Sequence, residues 1–158
     1  MNVYIGYDSR EDLAYQVSSY SIKSQSNKTI VAPLKLSELR SRGLYTRGED
    51  KLGSTEFTFS RFLVPVLNNY QGWALFCDCD ILFLRPIDEL FALADDKYAV
   101  MCVQHDYQPK NKSKMDGKVQ SIYPRKNWSS LIYYKVGFWI NNYWVKVNAV
   151  DVICILNT

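Results

Sequence analysis

A chain of 158 residues, 47% hydrophobic and 22% charged, has the size and composition of one folded domain, which excludes a collagen-like or largely disordered polypeptide. Nineteen basic and sixteen acidic residues leave a net charge of +3, too mild to drive nucleic-acid binding but compatible with a phosphate-bearing small molecule. The four cysteines, Cys77, Cys79, Cys102 and Cys154, are not spaced as a disulfide framework and are expected as buried thiols.

The opening MNVYIGYD enters a strand pattern at once, with no charged leader or apolar signal core, so a cytoplasmic location is expected. Val3 to Tyr7 reads as a short buried strand ending at Asp8. A helix follows from about Arg10 to Lys23, with Leu13, Val17 and Ile22 recurring near helical spacing. Thr29 to Leu36 reads as a second strand, and Pro33 inside it places that strand at an edge or a bulge. The polar stretch Ser37 to Gly53 reads as a long loop. Ser54 then caps a helix with Glu56 in its first turn and Phe59, Phe62, Leu63, Val66 and Leu67 as one apolar stripe, bent at Pro65.

Trp73 to Leu84, WALFCDCDILFL, is a nearly continuous apolar run of the kind that forms a central strand covered on both faces. A short helix around Asp88 to Leu93 and a buried strand from Tyr98 to Val103 come next. The alternation of strand and helix predicts a layered α/β sheet. Tyr107 to Lys126 is lysine-rich and reads as a surface loop. From Leu131 the chain turns aromatic and apolar, but Lys135, Asn141, Asn142, Lys146, Asn148 and Asp151 interrupt every window of the roughly 20 residues a membrane span needs. No transmembrane segment is expected there.

Asp78 and Asp80 lie inside the most apolar run, one residue apart, and in an extended backbone such residues point to the same side. Two carboxylates left unpaired in an apolar strand would cost several kcal/mol, on the order expected for buried charge, so they belong at the strand's end facing a cation, donors or water. Mg²⁺ or Mn²⁺ suits such a pair together with phosphate oxygens. The bare pattern is weak, since eleven aspartates in a chain of this length give about 0.8 chance occurrences. Its position inside the central run gives it weight, against the plainer alternative of a turn cap at Asp78 and an ion pair between Asp80 and Arg85.

The stretches VYIGYD, STEFTFSRFLVPVL and GWALFCDCDILFLRPIDELF, in this order and spacing, resemble the GT-A-fold glycosyltransferases, most closely family 8 and its bacterial relatives. The resemblance covers roughly residues 1 to 130. It implies an α/β/α nucleotide-diphospho-sugar transferase fold with a mixed, mostly parallel sheet. It also implies metal binding by Asp78 and Asp80, a nucleoside contact by Asp8 with Tyr7 beside it, and a place for Arg61 near the sugar diphosphate. The donor would be a UDP- or GDP-sugar, with Mn²⁺ or Mg²⁺ as cofactor. No catalytic acid or base is identifiable, and only the resemblance favours retention over inversion. His105, the single histidine, is a weaker candidate for a ligand or donor contact, with a structural histidine as the plainer reading. Lys126 and the lysines before it form either a lid over the diphosphate or a solvated loop.

Relatives in that family continue well past this length and complete the site with a later histidine and a glycine-rich segment, to which nothing here corresponds. The expected division is therefore a nucleotide-sugar-binding domain over 1–130 and a divergent tail over 131–158, with the C-terminal half of the fold missing. The exposed flank of the sheet would be covered by the tail or by a homodimer. The competing readings are a non-catalytic nucleotide-sugar-binding module and a sugar nucleotidyltransferase. The acidic, glycine-poor loop GYDSRED argues against the latter.

Overall fold

The apolar runs become eight strands: β1 (Asn2–Gly6), β2 (Ile30–Leu34), β3 (Gly72–Cys77), β4 (Ile81–Phe83), β5 (Val100–Val103), β6 (Leu131–Val136), β7 (Trp144–Val147) and β8 (Ile153–Ile155). The helices are α1 (Asp12–Lys23), α2 (Leu36–Ser41), α3 (Val64–Leu67) and α4 (Ile87–Phe91). This computed structural model describes residues 1–48, 53–103, 128–136, 144–147 and 153–155. Among them, no helix is long and apolar enough to cross a membrane.

Six strands form one sheet in the order β2-β1-β3-β6-β5-β7, and β4 pairs with β8 in a second, two-stranded sheet. Strand β1 runs parallel to both β2 and β3, and β5 parallel to β7, while β6 is antiparallel to β3 and β5. The result is the mixed, mostly parallel sheet of a layered α/β domain. From Ala74 to Cys77 every residue of β3 is buried, as expected of a strand covered on both faces. Burying Phe76 alone contributes about 1.5–3 kcal/mol. The composition boundary at 130/131 falls immediately before β6, which lies at the heart of the sheet between β3 and β5. Pro33 pairs with Ile5 in the outermost strand, where its missing N–H breaks no ladder on the open side.

Four local expectations are corrected by tertiary packing. Leu13 and Val17 of α1 are 77% and 40% exposed, and the helix instead buries Tyr15, Ser18, Ser19, Ser21 and Ile22. The small serines let α1 lie close against β4. There the Ser21 hydroxyl accepts the Phe83 N–H at 3.1 Å and the Gln25 side-chain amide donates to the Phe83 carbonyl at 2.8 Å, satisfying backbone groups that β4 would otherwise bury unpaired. The segment Ser37 to Gly53 opens inside α2 rather than as a loop.

The single helix expected after Ser54 is a series of turns, a 3₁₀ helix at Ser60–Leu63 and only then α3. Phe62 is consequently 51% exposed, and Pro65 sits in the first turn of α3, where no N–H partner is required. The run from Trp73 to Leu84 breaks after Cys77, so that Ile81–Phe83 joins a different sheet. Cys77, Cys79 and Cys102 are buried as thiols.

Gly6 ends β1 beneath the ring of Phe57. A Cβ built there would lie 2.5 Å from Phe57 Cδ2, well inside van der Waals contact. Phe57 is itself 2% exposed and packs at 6.3 Å from Phe76, so it has little room to retreat. Gly6→Ala is expected to lower unfolding stability by about 1–3 kcal/mol, the usual cost of overpacking. In urea denaturation, the second change Phe57→Leu should recover part of the loss, and an unaltered midpoint in the single variant would contradict this close approach.

Candidate functional site

The chain passes from β1 to β2 on one side of β1 and then to β3 on the other, so the strand order reverses between β1 and β3. In open α/β sheets ligands bind outside the carboxyl ends of parallel strands at such a reversal. The segments emerging there are Tyr7 to Glu11 after β1 and Asp78 to Asp80 after β3. The sequence places chemistry-bearing side chains in both.

Asp78 is fixed by its backbone, whose N–H donates to the Ser130 carbonyl at 2.8 Å. Its side chain, 23% exposed, lies 3.2 Å from Nη1 of Arg61, and that nitrogen donates to the Ser129 carbonyl at 2.6 Å. The guanidinium is buried near the rings of Phe76 and Phe57, 4.9 and 5.5 Å from their centres. Among the described residues, Oδ1 of Asp78, the oxygen that faces Arg61, and Oδ1 of Asp80 are buried without a hydrogen bond, and so is Nε of Arg61. Burial pushes the Asp78 carboxyl up to about 7, with Arg61 opposing the rise and Asp80 and Glu11 adding to it. Burial also raises Asp80, whose own backbone N–H pulls the other way. Arg85 does not reach this pair; it bonds Glu89 at 2.6 Å.

Asp8 is the electrostatic opposite. Fully buried at the end of β1, it accepts from the Arg10 backbone N–H, from Arg10 Nε and Nη2, and from the Glu56 N–H. These bonds, led by those of the Arg10 side chain, hold its carboxyl down to about 2. Stability from this group is present above its unfolded value near 3.8 and is lost as pH falls toward 2. The first turn after Ser54 is thus held by Asp8 rather than capped by Ser54, whose carbonyl accepts from Arg10 Nη2 at 3.0 Å. Beside it, Tyr7 donates to Asp12 at 2.8 Å and carries the Lys35 ammonium 5.0 Å above its ring.

The structure therefore brings Arg61, Asp78 and Asp80 together, with Tyr7 and Asp8 in the segment after the adjacent strand. His105 and Lys126 lie outside the described residues. Glu11 was not singled out by the sequence. Its Oε2 accepts from the Cys79 thiol at 3.2 Å, and its charge reaches both Asp78 and Asp80. The readable signal was an acid in the loop after a strand that neighbours β3. The backbone carbonyls of Ser129 and Ser130 carry no sequence signal for this role. A cleft of about 490 Å³ opens between α2 and the turns after Ser54, walled in part by Arg10, Arg40, Tyr45 and Phe59. Its size suits a small-molecule ligand, but Asp78, Asp80 and Arg61 do not line it.

The fold is that of the GT-A-type glycosyltransferases. Solved structures similar to this chain include the galactosyltransferase LgtC in complex with donor and acceptor sugar analogues, at 9% identity and TM-score 0.53, matching 88% of this chain and 59% of that one. The bifunctional glycosyltransferase WbbM matches at 14% identity and TM-score 0.54, over 86% of this chain and 31% of that one. The glycosyltransferase GlyE of Streptococcus pneumoniae matches at 11% identity and TM-score 0.53, over 87% and 34%. No family model matches the chain. A curated relative, Protein CDI of Arabidopsis thaliana, is 58% identical over 136 residues, which are 85% of this chain and 52% of that protein. The chain thus spans about half the length of the curated relative it matches.

The raised carboxyl of Asp78 fixes the sign of a pH effect. The folded protein holds this proton over a range where the unfolded chain has lost it, so stability from this group is greatest below about 4 and declines as pH rises through about 7. In metal-free buffer at pH 8, Asp78→Asn should unfold at a higher denaturant concentration than the unchanged protein, by about 2 kcal/mol at roughly 1.4 kcal/mol per pKa unit and allowing for the lost Arg61 pairing. The gap should close by pH 5. A gap independent of pH would show that burial does not control this carboxyl.

Proposed function

We propose that this chain is the donor-binding part of a metal-dependent glycosyltransferase that moves a sugar from a UDP- or GDP-sugar to an acceptor. The observation that carries the reading is the Asp78 and Asp80 couple at the carboxyl end of β3, each with a buried oxygen that accepts no hydrogen bond among the described residues, the Asp78 oxygen facing only the Arg61 charge at 3.2 Å. Such orphaned acceptors cost about 1–3 kcal/mol each, more where charged, unless a ligand or water meets them. Two hard oxygen donors fit Mn²⁺ or Mg²⁺. Among the described residues no group of three or more histidine, cysteine, aspartate or glutamate side chains is placed to hold a metal, so this reading requires the remaining oxygens to come from diphosphate and water.

The chain's own groups take the following parts in this reading. Asp78 and Asp80 hold the cation, which when bound neutralises charge on the departing diphosphate. Arg61 offers a pre-oriented guanidinium to the same developing charge, its position set by Ser129 and the two phenylalanine rings. Tyr7, in the segment after β1, presents an aromatic face for the nucleoside. Asp8, the nucleoside contact that the family resemblance implies, acts here mainly through Arg10 and Glu56, because its oxygens already accept four donors.

Calorimetry with UDP and with GDP, each with and without Mn²⁺, tests this directly. Metal-dependent binding of one nucleotide is expected, and Asp80→Ala should remove the metal-dependent component, at least tenfold in affinity, while leaving the unfolding midpoint within about 1 kcal/mol. Undiminished affinity in that variant would contradict the assignment. Binding without turnover of any of a panel of donors would leave a nucleotide-sugar-binding module in place of an enzyme.

A further inference from the structure

Cys79 stands between the two aspartates, in the turn that follows β3. It is 2% exposed, and its thiol donates to Oε2 of Glu11 at 3.2 Å. Glu11 closes the 3₁₀ turn Ser9–Glu11, where its N–H donates to the Asp8 carbonyl at 2.9 Å. That turn is anchored in turn by the Asp8 side chain and by Ser9, whose hydroxyl donates to Glu56. A continuous set of hydrogen bonds therefore runs from the end of β1 to the middle residue of the acidic turn.

Asp78 is held through its N–H on Ser130 and by the Arg61 guanidinium at 3.2 Å, whereas among the described residues the Asp80 carboxylate has its own backbone N–H, and one of its oxygens accepts no hydrogen bond. On the Asp80 side of the tripeptide, the Cys79 side chain is buried and bonded across to another segment, as Asp78 is on the other side through Arg61 and Ser130. Whatever fixes Cys79 fixes the direction in which its two neighbours project.

We propose that Glu11 is a positioning residue for Asp78 and Asp80, acting through the Cys79 thiol. The inference rests on reading that couple as a cation site. Partners that orient metal-binding side chains are typically worth 10- to 100-fold in affinity. Because the effect passes through one hydrogen bond, changes at its two ends should not multiply.

The test is Mn²⁺ alone, titrated by electron paramagnetic resonance into the unchanged protein and into Glu11→Ala, Glu11→Gln, Cys79→Ala, Cys79→Ser and the double alanine variant, with cooperative unfolding checked for each. Glu11→Ala and Cys79→Ala should each weaken Mn²⁺ binding about tenfold, and the double variant by no more than either. Glu11→Gln keeps an acceptor and Cys79→Ser keeps a donor, so both should stay within about threefold of the unchanged protein. If Glu11→Ala does not fold, the Cys79→Ala and Cys79→Ser comparison carries the same contrast. Losses that multiply in the double variant, or a Glu11→Gln loss equal to that of Glu11→Ala, would overturn the proposal, the latter by showing that Glu11 acts through its charge. Asp80→Ala separates the two levels: Mn²⁺ binding kept in Asp80→Ala, or absent from the unchanged protein both alone and with UDP or GDP added, removes the cation reading itself and this inference with it.

Discussion

Everything around the site follows from placing charge at the end of a strand whose last four residues are sealed from water. Asp78 cannot be left there alone, and the chain answers with Arg61, brought from a segment 17 residues earlier. A buried guanidinium has needs of its own. They are met in part by the Ser129 carbonyl and by the faces of Phe57 and Phe76, and Phe57 reaches its place only because Gly6 has no side chain. The turn supplying Ser129 also supplies the Ser130 carbonyl to Asp78 and then becomes β6. One ion pair thus ties β1, β3, β6 and the 3₁₀ helix at Ser60–Leu63 into a single arrangement.

The two neighbouring strand ends show how environment assigns different work to the same residue type. Asp8 is surrounded by donors and its carboxyl falls to about 2, whereas burial and the neighbouring acids outweigh the single Arg61 charge at Asp78, and its carboxyl rises to about 7. The first is satisfied by the protein and holds the turns after Ser54 against β1. The second has the Arg61 guanidinium at 3.2 Å but accepts no hydrogen bond at that oxygen among the described residues. Groups whose environments push their pKa values apart in this way mark out distinct roles within one site.

The same fold occurs in solved glycosyltransferases at 9–14% identity. A backbone arrangement of this kind tolerates wide change in side chains. The Arabidopsis relative, at 58% identity, keeps far more of the side-chain detail over the 136 matched residues.

Local pattern was enough to read β1, the edge position of β2, the buried character of β3 and the presence of a paired acid inside the most apolar run, because each rests on side-chain periodicity or on the cost of burying charge. It failed where a residue's partner is distant in sequence. The exposed Leu13 and Val17, and the buried serines of α1, answer to β4, which needs small polar groups on its open backbone. The break after Cys77 and the unwinding of the segment after Ser54 answer to Asp78 pairing with Arg61 and to Asp8 holding the Glu56 N–H. The sequence by itself determined which residues carry charge into an apolar setting. Only the tertiary structure decided which of them are satisfied and which are left waiting, since hydrogen-bond saturation depends on neighbours that chain order does not reveal.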